Sequence, residues 1–222
     1  MKVSLSLDSS YSEDVAVVVD VLRASTTITV AAQNFGKIIP VKSIDDAQYL
    51  AKKYDAVLAG ERRGAAINGF DTGNSPIEIS NFCGDVLVIT TSNGTRIMEE
   101  ITAKILIGSF VNAKAVAREA LKQASSHIEL VMAGVEGRFA IEDYLGAGEI
   151  ISHLKEHKLD ENALGAYMAS LNEDMVNDAV KNSRSARKLG ELGLSNDVNF
   201  CLKRNLYDHV PAYANGSITG VQ

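Results

Sequence analysis

The feature that most constrains this chain is Val15-Ala16-Val17-Val18-Val19, an unbroken apolar run that stops at Asp20. A short, β-branched run of this kind fits a strand buried on both faces, as strands of parallel sheets are. The pattern recurs. Lys37 to Val41, Ala56 to Ala59, Val86 to Thr90, Ile105 to Ile107 and Ile128 to Met132 read as further strands. Helical stretches lie between them: Ser25 to Phe35 with Gly36 as a stop, Ile44 to Lys53 behind a Ser43 cap, and Ile77 to Phe82 behind Pro76. Thr95 to Ile101, Ala113 to Ala124 behind an Asn112 cap, and Ile141 to Lys155 complete the series. At least six such alternations predict an α/β fold. The expected form is a three-layer α/β/α arrangement with a mostly parallel central sheet.

The chain of 222 residues reads as one domain. Residues 60 to 76 form a long loop containing Gly60, Gly64, Gly69 and Gly73. Residues 160 to 206 are mostly helical and more polar, either a helical subdomain or further cover for the sheet. Val210 to Val221 reads as a last extended segment.

In open α/β sheets ligands bind beyond the carboxyl ends of the strands. The residues that follow the strands here are Asp20 to Arg23, Gly60-Glu61-Arg62-Arg63, Thr91 to Arg96, Gly108-Ser109 and Gly134 to Arg138. They are rich in small polar residues, acids and arginine, which together suit an anion and a metal. Asp20, at the end of an apolar strand, needs a cation or hydrogen-bond donors to offset its desolvation. Magnesium fits an oxygen ligand of this kind. A helix cap or an ion pair to Arg23 is the plainer alternative. Glu61 follows the same logic on a neighbouring strand. Glu142 and Asp143 are adjacent on a helix, so only one of them is expected to face the site well. The turn Thr91-Ser92-Asn93-Gly94-Thr95-Arg96 presents backbone N–H groups suited to phosphate, or it is an ordinary strand–turn–helix.

Net charge is -6, which opposes the clustered basic surface that nucleic acid requires. An anionic substrate must then be attracted locally, by arginines or a metal. No apolar run approaches the ~18–20 residues that span a bilayer, and the N-terminus is too polar for a secretory signal. A cytoplasmic protein is expected, with Cys83 and Cys201 as free thiols, and a homodimer is the default assembly. The sequence contains no P-loop, no H-E-x-x-H and no G-x-S-x-G elbow. Asp20 has no second aspartate two residues on, and neither cysteine precedes an arginine at cysteine-phosphatase spacing. His127, His153, His157 and His209 are scattered and read as surface or packing residues.

Five ordered segments carry a family resemblance. They are Asp20 to Thr27, Gly60-Glu61-Arg62, Gly69 to Pro76, Thr91 to Arg96, and Gly137 to Asp143. Together they resemble the 2-phosphosulfolactate phosphatases, and the likeness extends to Ser183 to Arg187 and Asp197 to Cys201. The resemblance implies magnesium-dependent hydrolysis of phosphosulfolactate to sulfolactate and phosphate, a step of coenzyme M biosynthesis in methanogens. Another small phosphorylated acid is the alternative substrate. A non-catalytic anion binder on the same fold is the alternative function, although acids at the strand ends would repel its ligand. On this reading Asp20, Arg23 and Glu61 are catalytic. Arg62, Asn74, Ser75, Thr91, Asn93, Gly94, Thr95, Arg96 and Arg138 bind substrate. Asp20, Glu61, Glu142 and Asp143 are the candidate magnesium ligands. Arg184 and Arg187 complete the pool of arginines available to a highly charged substrate. Whether water or the Asp20 carboxylate attacks phosphorus is left open.

Overall fold

Every side chain of β2 (Val15–Val19) is buried. Val15, Val17 and Val19 enter one core, and Ala16 and Val18 enter another on the opposite face. Two-sided burial follows from helices on both faces of a parallel strand. The computed structural model describes residues 1–7, 9–91 and 94–221; for Gly94, Thr95, Arg96 and Val221 it describes the backbone alone.

The elements before β2 and after it run in this order: β1 (Lys2–Ser6), β2, α1 (Ala24–Ala31), β3 (Phe35–Val41), α2 (Ile44–Tyr54), β4 (Val57–Arg62) and β5 (Ala65–Ala66). Next come α3 (Pro76–Ile79), β6 (Gly84–Thr90), α4 (Gly94–Glu100), β7 (Lys104–Gly108), a 3-10 turn (Phe110–Asn112), α5 (Ala113–Gln123) and β8 (His127–Met132). The chain closes with α6 (Ile141–Ser152), β9 (Lys158–Leu159), α7 (Glu161–Ala169), α8 (Glu173–Lys181), α9 (Arg184–Glu191), α10 (Ser195–Cys201), β10 (Val210–Ala214) and β11 (Ser217–Val221). No helix among the described residues is long and apolar enough to cross a membrane.

Among the described residues, eleven strands form one sheet in the order β5-β4-β6-β3-β11-β10-β7-β2-β8-β1-β9. The fold is therefore α/β with a mostly parallel sheet between helices. The sheet has two parallel blocks, β4-β6-β3 and β7-β2-β8-β1-β9. The hairpin β10–β11 joins them through antiparallel pairings to β7 and β3. The extended segment read at the C-terminus is thus a central part of the sheet. Residues from both blocks, including Val18 and Ile107 on one side and Ile38, Ala59 and Ile89 on the other, share one core with Ile28 and Val30 of α1. The strand ends of both blocks are accordingly brought around one helix.

All eight residues of α1 are buried, although half carry hydroxyls. Each hydroxyl is satisfied. Ser25 Oγ donates to the Val18 carbonyl, Thr26 to Val21, Thr27 to Asn74 and Thr29 to Ser25. Local backbone acceptors make this threonine-rich stretch tolerable in a core.

Several boundaries differ from the sequence reading. Helix α1 ends at Ala31, and Phe35 already belongs to β3, because the chain reverses where Asn34 N–H bonds the Ala31 carbonyl. The N-terminal residues, left without structure by the sequence, form β1 between β8 and β9. Val3 and Leu5 alternate into the core there, a period-two pattern too short to stand out. Ser43 caps α2 as expected. Asn112 does not cap α5 with its side chain. Its amide instead accepts from Ser109 N–H and donates to the Ile107 carbonyl, which secures the end of β7.

Candidate active site

The chain leaves β2 toward β3 on one side of the sheet and leaves β8 toward β9 on the other. A crevice at the carboxyl ends of β2 and β8 is the expected consequence. Asp20 and Val21 follow β2, and Gly134 follows β8. Asp143, in the first turn of α6, bridges them. Its Oδ1 accepts from Val21 N–H at 2.8 Å and its Oδ2 from Gly134 N–H at 3.0 Å. Gly134 takes a positive φ of 63°. Burial, with Asp20 and Glu142 nearby, raises the Asp143 carboxyl well above its ordinary value, against the pull of those two N–H groups.

Asp20 is buried and its Oδ1 accepts from Ala24 N–H at 3.2 Å, so the carboxylate does cap the start of α1. Burial pushes its pKa up to about 7; the carboxylates of Glu61 and Glu142 add to the rise, while Ala24 N–H and Arg23 oppose it. Arg23 does not pair with Asp20. Its Nη1 donates to Asp197 Oδ2 at 2.6 Å, and its Nη2 donates to the Gly64 carbonyl at 2.7 Å. The Leu22–Arg23 peptide is cis.

The expected long loop after β4 is partly ordered as a hairpin. Strands β4 and β5 pair antiparallel through Glu61–Ala66 and Arg62–Ala65. Arg63 and Gly64 between them both take positive φ, 54° and 90°, as a two-residue hairpin turn of the primed type requires. The turn places Gly64 at the centre of the site. Its N–H donates to Glu61 Oε2 at 2.6 Å, and its carbonyl receives Arg23. A Cβ added there would lie 3.2 Å from Leu192 beyond α9.

A cavity of about 90 Å³ opens on these groups. Asp20, Arg23 and Glu61 line it, with Asn74, Thr91, Ser185 and Lys188. Asn74 and Thr91 are buried, and Asn74 Oδ1 and Thr91 Oγ1 have no hydrogen-bond partner among the described residues. Buried orphans of this kind call for a ligand or water. Ser75 stands behind the wall as the cap of α3 and donates to Asp197 Oδ1 at 2.7 Å.

Two residues from the sequence reading point elsewhere. Arg62 bonds the carbonyls of Glu61 and Lys42 and the Thr90 hydroxyl at the side of the sheet. Arg138 is exposed in a turn with Val135 and does not line the cavity. Asn93 and the side chains of Gly94, Thr95 and Arg96 lie outside the described residues. Glu142 and Asp143 are both buried, Asp143 is taken up by the Val21 and Gly134 N–H groups, and neither is among the residues that line the cavity. Sequence reasoning placed Ser185 and Asp197 in segments that carry the family resemblance but gave neither a role, and it did not single out Lys188. Their helices come from the far end of the chain, and nothing local marks them as neighbours of β2.

The residues fit a divalent cation in one respect. Asp20, Glu61 and Glu142 are buried acids close enough to raise the proton affinity of Asp20, and all are hard oxygen donors. Among the described residues no three side chains form a ready cage. Magnesium does not demand one, since it keeps several waters and takes one or two carboxylates.

A family model described as 2-phosphosulpholactate phosphatase matches residues 2–216. A 2-phosphosulfolactate phosphatase of Methanothermobacter thermautotrophicus is 47% identical over 219 residues, covering 98% of this chain and 95% of the relative. A probable 2-phosphosulfolactate phosphatase of Thermotoga maritima is 43% identical, covering 90% of this chain and 89% of its own. One from Clostridium acetobutylicum is 39% identical, covering 98% and 100%. Likeness of this extent runs through both parallel blocks, the hairpin turn at Gly64 and the helices that carry Asp197 and Lys188, and it shows that the chain belongs to the 2-phosphosulpholactate phosphatase family.

Proposed function

We propose that this chain hydrolyses 2-phosphosulfolactate to 3-sulfolactate and phosphate with magnesium, the type of step used in coenzyme M biosynthesis. The observation that carries the reading is the cavity lined by Asp20, Glu61 and Arg23 together with Asn74 and Thr91, whose Oδ1 and Oγ1 have no partner among the described residues. The names of the relatives supply the substrate. In this reading Asp20 and Glu61 hold the metal, with Glu142 behind them. When bound, the metal polarises the phosphoryl group and offsets the charge that builds on its oxygens. Arg23 supplies fixed N–H donors whose direction Asp197 and Gly64 set. Thr91 donates a hydroxyl to a phosphoryl oxygen. Asn74 Oδ1 accepts from the attacking water and orients it. Positioning and charge neutralisation supply most of the rate in such transfers.

Water rather than Asp20 is the nucleophile in this reading, since Asp20 Oδ1 accepts from Ala24 N–H and Oδ2 is the oxygen assigned to the metal. The test is phosphate release from phosphosulfolactate and from a panel of phospho-acids, with magnesium or with EDTA. Turnover should require magnesium and fall by about 10³-fold or more in Asp20→Asn, the scale of losing a principal electrostatic group. Full activity of that variant, or of the EDTA-treated enzyme, would remove the assignment. Turnover confined to other phospho-acids would change the substrate and keep the chemistry.

A further inference from the structure

One wall of the cavity has no part in the chemistry above. It is formed by α9, through Ser185, Lys188 and Leu189. These residues are spaced i, i+3 and i+4 and so share one helix face. Leu189 is buried in the main core, which fixes the rotation of the helix and holds Ser185 and Lys188 at the cavity. Arg184 and Arg187, the cations suggested by sequence on this helix, are exposed and do not line it.

Charge makes that wall significant. The same cavity is lined by the acids Asp20, Glu61 and Glu136 and by the guanidinium groups of Arg23 and Arg63. The charge of Arg23 is already offset by Asp197, at 2.6 Å with both side chains buried. Lys188 makes no ion pair among the described residues. An ammonium on a flexible stem can meet an oxyanion from many directions, whereas a guanidinium needs a planar match. A ligand whose phosphate sits at Asp20 and Glu61 shares its cavity with Ser185 and Lys188 of α9.

We propose that α9 is the specificity wall of this site. Lys188 binds the anionic group of the substrate that is remote from phosphorus, and Ser185 adds a hydroxyl donor. The class selected is a short phosphorylated acid with a second fixed negative charge. The proposal rests on the phosphatase reading of the same cavity.

The test is calorimetric binding of 3-sulfolactate and of inorganic phosphate in the presence of magnesium, so neither measurement needs turnover. Lys188→Ala should weaken sulfolactate by about 10- to 100-fold, the scale of a charge-assisted hydrogen bond, and phosphate by less than about twofold. Lys188→Arg should recover most of the loss. Arg187→Ala, equal in charge change but facing away, should match the wild type. Sulfolactate affinity retained in Lys188→Ala, an equal loss in Arg187→Ala, or no sulfolactate binding by the wild type would overturn the proposal. Failure of the phosphatase reading has its own signature: sulfolactate binding that depends on Lys188, without phosphate release from phosphosulfolactate.

Discussion

Arg23 and Asp197 meet at 2.6 Å across 174 positions of sequence, and both side chains are buried. Asp197 also accepts from Ser75 at 2.7 Å, so one carboxylate of α10 ties the end of β2 to the segment entering α3. Removing one partner of a buried pair leaves the other charge uncompensated. Asp197→Ala should therefore lose about 3–5 kcal/mol of stability in urea unfolding. The double variant Arg23→Met/Asp197→Leu should regain much of that stability, yet remain inactive. Recovery of activity in the double variant would show that Arg23 has no part in the chemistry.

Gly64 joins three parts of the site at once. Its N–H reaches Glu61, its carbonyl receives Arg23, and α9 closes over it. Its φ of 90° is unfavourable for any residue with a Cβ. Gly64→Ala should cost about 1–2 kcal/mol from conformation alone. Displacement of Glu61 and Arg23 should lower kcat more than that stability loss suggests. Unchanged kcat with lowered stability would assign the turn a purely structural role.

The two thiols should differ sharply. Cys83 is exposed, whereas Cys201 is buried and burial pushes its pKa up to about 12. The thiolate is the reactive form. Titration with an aromatic disulfide reagent at pH 8 should consume one thiol per folded chain and two in denaturant. Two rapid equivalents from the folded protein would contradict the packing around α10.

Acid should loosen the N-terminal segment first. Glu129 Oε2 accepts from Ser10 Oγ, Tyr11 N–H and Ser12 N–H, and Oε1 accepts from Ser6. Burial alone would raise the carboxyl, but these donors outweigh it and leave its pKa lowered from 4.5. The Ser126, His127 and Ser125 N–H groups likewise lower Asp14 from 3.8. A folded value below the unfolded one means stability that is complete above the unfolded pKa and is lost as pH falls through the folded one. In urea unfolding from pH 7 to pH 3, Glu129→Gln should be less stable than the wild type at pH 7 and show a flatter acid limb. Parallel curves would refute the linkage.

Much of the fold was legible. The buried run before Asp20, the alternation of strands and helices, and the Ser43 and Pro76 helix starts all rest on local chemistry. The short strand β1 and the primed turn at Arg63-Gly64 were missed. A strand of five residues and a turn in a glycine-rich stretch carry weak local signals until their partners are in place.

The sequence by itself determined the parallel α/β class, the polar strand ends, and the acids Asp20 and Glu61 as candidates for one site, because burial pattern and strand position are properties of local segments. Tertiary structure alone decided which arginines line the cavity, Arg23 and Arg63, and what holds Arg23 there. Arg23 turns to Asp197, Arg62 to the side of the sheet and Arg138 to solvent. It also decided that α9 forms a wall with Lys188 rather than Arg184 or Arg187, since Leu189 must be buried and that requirement fixes the helix face. Such choices depend on contacts between distant segments, where the cost of an unpaired buried charge acts only once the chain has closed.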